Sequence, residues 1–299
     1  MYPRLFGLPL YSLLNTAGIA AAALCAAVLI FFEWRRRRRT APSILPPDAK
    51  RRYNPLYYLT REMRGKFNPV TYLLCCAAVY LLLQPSVYLT GLLLNVTSIA
   101  GRLTVLPGGV AFASGVLLVI PAFLLLARLF PGNGRPTAQL ELVMPAMALN
   151  HVFNRMACFM SGCCFGVPSR FGVVYPNASM ASLVYGPGTR VFPNQLLEFI
   201  SMLLCFLLIL FLRFRGKRTL PIFPLVFGAV GFLLGFGMNH SAERLKPIFG
   251  FTYPTPFTHL LVFFIGLVFL FLLILENRKA AKTPRRFPQE SLAPLKGGS

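Results

Sequence analysis

Seven long apolar runs, each bounded by polar or basic residues, dominate the chain: Leu10 to Phe32, Val70 to about Tyr88, Val110 to Phe130, Leu142 to about Met160, Leu196 to Leu212, Ile222 to Met238 and Phe257 to Leu275. Each holds roughly 17–23 residues, the length that a helix rising 1.5 Å per residue needs to cross about 30 Å of hydrocarbon. The pattern therefore predicts an all-α integral membrane protein with seven transmembrane helices. Two stretches interrupt it. Gln84-Pro85 and the segment from Leu94 to Gly109 predict an irregular outer segment after the second span. The stretch from Ser161 to Gln195 is rich in Gly, Pro and turn formers and predicts a compact cap outside the membrane. No internal repeat is evident, so one transmembrane domain over residues 1–276, followed by a basic tail over 277–299, accounts for the chain.

Composition narrows the class. The 299 residues are 56% apolar and 13% charged, against about 25% charged in soluble domains. With a mean hydropathy of +0.64, this excludes a water-soluble enzyme. A net charge of +22 would point to nucleic acid in a soluble protein. Here the basic clusters sit between apolar runs and are not interleaved with stacking aromatics, so no nucleic-acid partner is expected. Placing the N-terminus outside gathers Arg35 to Arg39, the cluster from Lys50 to Lys66, Arg128, Arg135, Arg213, Arg215, Lys217, Arg218 and the tail on the inner side. Only Arg4, Arg102, Arg155, Arg170, Arg190, Arg244 and Lys246 fall elsewhere. Basic residues near span ends stay cytoplasmic, which sets the N-terminus out and the C-terminus in. The first run is followed by arginines and lacks a small-residue cleavage site, so it reads as a retained helix. The basic inner loop and tail are placed to touch anionic lipid head groups.

Ionisable residues inside spans are costly and point to function. Glu141 begins the fourth run and Arg155 follows fourteen residues later, about 21 Å along the same helix and too far to pair with it. Arg155 needs another anion. A guanidinium stays charged at any working pH and grips phosphate with two nitrogens, so a lipid phosphate is one candidate; snorkelling to the outer interface is the alternative. Gly162 and Gly166 permit a close backbone approach of the kind that cradles a phosphate. Glu198, just inside the fifth span, is either functional or the partner of Arg190 or Arg155. After the sixth span, His240, Glu243, Arg244 and Lys246 lie within about two helical turns. His240 can serve as a base, as a phosphate donor or as a solvated loop residue. Cys25, Cys75, Cys76 and Cys205 lie in apolar runs and read as small hydrophobes. Cys158, Cys163 and Cys164 match no zinc spacing, and adjacent cysteines bridge each other poorly, so no metal is expected. No P-loop, dinucleotide fingerprint or Ser–His–Asp order is present.

These motifs resemble those of the prolipoprotein diacylglyceryl transferases, seven-span enzymes of the bacterial plasma membrane. ELVMPAMALNHVFNRMACFMSGCCFGVPS is similar to the family's acidic-x-x-x-Pro opening, its Gly-Arg-Ile-Gly-Asn-Phe and its Gly-Glu-x-x-Gly, with Glu141, Pro145, Arg155, Phe159, Gly162 and Gly166 in register. FGVVYP resembles Trp-Gly-Val-x-Phe-Pro, and FPNQLLE, containing Gln195 and Glu198, resembles His-Pro-x-Gln-Leu-Tyr-Glu. FGLPLY near the start and LPGG, with Gly108 and Gly109, also agree. The chain departs from the family at Pro107 for a histidine, Cys158 for an asparagine and Cys163 for a glutamate. It also has Phe236, Gly237 and His240 where the family has Tyr-Gly-x-x-Arg, with Glu243 one position early and Arg244 as the displaced arginine.

The resemblance implies transfer of the diacylglyceryl group of phosphatidylglycerol to the thiol of a lipobox cysteine, releasing glycerol phosphate, with no metal or organic cofactor. It implies Arg155, His240, Glu198 and Glu243 as catalytic candidates. Glu141, Cys158, Gly162, Cys163, Gly166, Gln195, Arg244, Gly108 and Gly109 are then the substrate-binding ones. The partners are phosphatidylglycerol, prolipoprotein lipobox peptides and membrane lipids. A catalytically silent lipid-binding relative and a small transporter are the competing expectations.

Overall fold

The computed structural model describes residues 4–5, 8–40, 96–99, 102–105, 109–129, 136–177, 179–237 and 254–282. Its elements, in chain order, are β1 (Arg4–Leu5), β2 (Leu8–Pro9), α1 (Leu10–Thr40), β3 (Val96–Ile99), β4 (Arg102–Val105), α2 (Gly109–Leu129), α3 (Pro136–Ser161), β5 (Pro168–Val174), α4 (Met180–Tyr185), β6 (Arg190–Val191), α5 (Asn194–Phe214), α6 (Ile222–Gly237) and α7 (Pro254–Lys282). Six of the seven apolar runs coincide with helices. The run from Val70 to Tyr88 lies outside the described residues. The fold is mostly helical but not all-α, because three two-stranded antiparallel sheets pair β1 with β2, β3 with β4 and β5 with β6.

By length and composition, three helical stretches can cross a membrane: Leu10–Glu33, Asn194–Phe214 and Thr258–Leu275. The apolar parts of α2 and α6 are shorter, spanning Gly115–Ala127 and Ile222–Gly235. Helix α3 is more polar, with Gln139, Glu141, Asn150, His151, Asn154 and Arg155 along it. It can carry them because it is the central helix, packed against α1, α2, α5 and α6. Its face buries Leu140, Leu142, Met144, Ala148 and Val152 against Ile30, Val116, Ile120, Met202, Cys205, Ile209, Phe223 and Phe227. The opposite faces of α5 and α7 expose Leu204, Leu207, Phe211, Phe264, Val268 and Phe271. Such continuous apolar surface is stable only against lipid or another protein.

The two ends of the bundle differ in chemistry. At one end Arg213 of α5 reaches Glu33 of α1 at 3.8 Å. At the same end of α3, Glu141 accepts a 2.6 Å hydrogen bond from Arg218 Nε and further bonds from the backbone N–H and the hydroxyl of Thr219. Glu141 thereby ties the start of α3 to the α5–α6 turn. Replacing it with Ala leaves a buried N–H without its acceptor, a loss of about 1–3 kcal/mol. A Glu141→Ala protein is expected to melt earlier in detergent; an unchanged melt would show that the carboxylate does not hold this turn.

At the other end lies the cap. Ser179 caps α4 by accepting from Ser182 N–H at 3.2 Å. Phe165, Tyr175, Ala181 and Val191 form its small core. Backbone bonds from Gly166 N to Phe192 O (2.7 Å) and from Phe192 N to Val167 O (2.9 Å) fasten it to the start of α5. Helix α7 continues to Lys282, so the basic segment expected as a tail from 277 begins as helix.

Candidate active site

The polar chemistry gathers at the cap end of α3. His151 and Arg155 are four residues apart and share one face of α3. Glu198 meets them from the first turns of α5. All three are buried. Arg155 Nε lies 2.6 Å from Glu198 Oε2 and 3.1 Å from His151 Nε2, and that same imidazole nitrogen lies 3.2 Å from Glu198 Oε2. Protonated at Nε2, the imidazole donates to the carboxylate; unprotonated there, it accepts from the guanidinium. It cannot do both, so the proton on this nitrogen and the partner of Arg155 are coupled. The edge of His151 meets Phe227 at 5.0 Å between ring centres, and Phe227 also meets the buried His259 at 4.8 Å.

Arg155 is therefore not the unpaired guanidinium that the sequence allowed. Of the two partners open to Glu198, the fold supplies Arg155, because α3 and α5 pack side by side while Arg190 is exposed on the cap. Only Nε is committed. Among the described residues the two terminal nitrogens of Arg155 donate no hydrogen bond. The carboxylate thus orients the guanidinium fork and leaves its two-pronged end for another anion.

Beyond Arg155, α3 ends at Ser161 and the chain doubles back. Gly162 turns at φ +66°, a conformation that favours glycine, and a Cβ there would lie 2.9 Å from Ser179 Cβ and 3.0 Å from the Tyr175 ring. Its role is this tight turn. Cys164 adopts φ +57°. The reversal brings the sulfurs of Cys158, Cys163 and Cys164 within 4.8 Å of one another. Ser161 Oγ lies 3.2 Å from Cys163 Sγ, and Gln195 Nε2 donates to the Cys163 carbonyl. Hydrogen bonds from Cys158 and Cys164, and then from Ser161, favour the thiolate at Cys163 and hold its pKa well below the usual thiol range. Burial pushes the Tyr175 phenol up to about 12.

Of the residues singled out from sequence, Arg155, Glu198, Cys158, Gly162, Cys163, Gly166 and Gln195 fall in this one region. Glu141 does not: it serves the opposite end of α3. Gly109 opens α2. Gly108, His240, Glu243 and Arg244 lie outside the described residues. Sequence reasoning missed His151, His259 and the convergence of the three cysteines. The four-residue spacing of His151 to Arg155 in NHVFNR was the available signal for the first.

A bundle with lipid-facing apolar helices and a buried ionisable site at one end of its central helix defines a membrane protein with an internal polar centre. Residues 69–272, more than half of the chain, match the family model described as prolipoprotein diacylglyceryl transferase, and the chain belongs to that family. Over 94 residues it is 32% identical to the phosphatidylglycerol–prolipoprotein diacylglyceryl transferase of Clostridium tetani, covering 30% of this chain and 36% of that protein. Over 107 residues it is 29% identical to phosphatidylglycerol–prolipoprotein diacylglyceryl transferase 2 of Clostridium perfringens, covering 33% of this chain and 39% of that protein. The chain thus spans just over a third of the length of the curated relatives it matches.

Proposed function

We propose that the protein transfers the diacylglyceryl group of phosphatidylglycerol to the thiol of a lipobox cysteine in prolipoproteins. It acts as a seven-span enzyme of the bacterial plasma membrane, with its N-terminus outside and its C-terminus in the cytoplasm. The observation that carries this reading is Arg155, buried with its Nε anchored by Glu198 and its two terminal nitrogens unused. The thiolate of the acceptor attacks the glyceryl carbon that bears the phosphate. A carbon–sulfur bond forms, the carbon–oxygen bond breaks, and glycerol phosphate leaves with the bonding electrons. Arg155 offers its charge to the departing phosphate, where negative charge grows in the transition state. Gln195 and the turn at Gly162 shape the acceptor side. His240, Glu243 and Glu198 are the candidates for taking the thiol proton, and Arg244 for a second phosphate contact.

Complementation tests this. A bacterial host depleted of its own transferase and supplied with this protein is expected to grow and to yield diacylglyceryl-modified prolipoprotein by mass spectrometry. Accumulation of unmodified precursor beside well-expressed protein would overturn the activity and leave a lipid-binding relative.

A further inference from the structure

The three thiols at the cap end of α3 are not used by the chemistry above. Cys158 is buried on the last turns of α3, while Cys163 and Cys164 arrive from the turn that follows. Neighbouring side chains ordinarily point apart. Here the left-handed backbone at Gly162 and at the non-glycine Cys164 brings both sulfurs back onto Cys158. A positive φ at a residue with a side chain costs energy and persists where its surroundings impose it, most often at functional sites.

We propose that Cys158, Cys163 and Cys164 bind one zinc(II) ion as thiolates, and that its open fourth position takes the thiol of the acceptor peptide. The second half rests on the activity proposed above. Sulfurs bound to zinc at about 2.3 Å in tetrahedral array stand about 3.8 Å apart. The observed separations, all within 4.8 Å, close with side-chain rotation of about 1 Å and no helix movement. Three soft sulfur donors select a thiophilic ion over magnesium or calcium. Three thiolates around a divalent ion leave one net negative charge, where a monovalent ion such as copper(I) leaves two. Arg155, already shared with Glu198, acts electrostatically on all three sulfurs and offsets the smaller charge better. Three protein ligands and one open position is the arrangement zinc adopts where it binds a reactant. An incoming thiol gives its proton to the base of the transfer reaction as the zinc–sulfur bond forms. The bound thiolate then attacks carbon, and the thioether leaves the metal.

The full chain, purified in detergent under reducing conditions, loaded with zinc(II) alone and dialysed, is expected to retain one zinc per chain. Cys158→Ser and Cys163→Ser proteins are expected to bind it about tenfold more weakly or worse. Cobalt(II) in the wild-type protein is expected to give a thiolate-to-metal charge-transfer band that grows on addition of a lipobox peptide and not of its Ser variant. Zinc at background with three free thiols, or a disulfide among these cysteines in protein alkylated directly in membranes, overturns the site. A cobalt spectrum indifferent to the peptide, or full lipidation by zinc-free protein, overturns the role of the fourth position. Normal zinc binding with no lipidation counts instead against the proposed activity, and the metal site stands.

Discussion

Arg155→Gln is expected to abolish diacylglyceryl transfer while the protein still reaches the membrane, although at reduced stability. Two effects are combined in this one change. The amide cannot present a charged fork to a leaving phosphate, and it leaves Glu198 buried without its countercharge. Breaking a buried ion pair from one side costs about 3–5 kcal/mol, so loss of activity in the single variant could reflect unfolding alone. The double replacement Arg155→Gln, Glu198→Gln separates the two, because it removes both charges and keeps hydrogen-bonding groups next to His151. It should melt closer to wild type than Arg155→Gln does and remain inactive. A double variant that both folds and lipidates would show that the phosphate is held elsewhere. Arg155→Lys should keep part of the stability and little of the activity, because an ammonium meets the carboxylate as a point charge and has no second prong.

How much of this was visible beforehand depends on the length scale of the interaction. Six apolar runs coincide with helices because hydropathy over some twenty residues is set by neighbours in sequence, and the cap was visible from its glycines and prolines for the same reason. The family resemblance likewise rested on local motifs. Partnerships across the bundle were not visible. Glu198 is forty-three residues from Arg155, and its choice over Arg190 follows from α3 and α5 lying side by side. The resemblance gave Glu141 a substrate-binding role, yet Arg218 and Thr219 hold its carboxylate at the far end of α3. The convergence of the three cysteines was hidden for a subtler reason. Spacing rules assume ordinary backbone, and here left-handed residues at Gly162 and Cys164 bring adjacent sulfurs to one point. The departures from the family pattern at Cys158 and Cys163 then fall within a single thiol group.

The largest purely structural effect is expected at Gly228, where α6 crosses α7. A Cβ at this position would lie 2.5 Å from the backbone nitrogen of Phe263 and 2.7 Å from its Cα. Backbone cannot rotate aside as a side chain can, so the helices must separate. In lipid the association of helices depends on close packing, since the apolar solvent supplies no hydrophobic drive, and small residues at crossings are what permit it. Overpacking costs about 1–3 kcal/mol in general, and Gly228→Val should lie at or above the upper end, because the displaced element is a helix whose neighbours cannot follow. Gly231, one turn on, faces the His259 ring more closely still, so separation also moves His259 away from Phe227 and the imidazole of His151 behind it. Gly228→Val should therefore lower both the melting temperature in detergent and the lipidation rate. Leu204→Ala on the exposed apolar face of α5, where the side chain is 61% exposed, should change neither by much. Equal melting temperatures for the two variants would mean that α6 and α7 do not meet at Gly228.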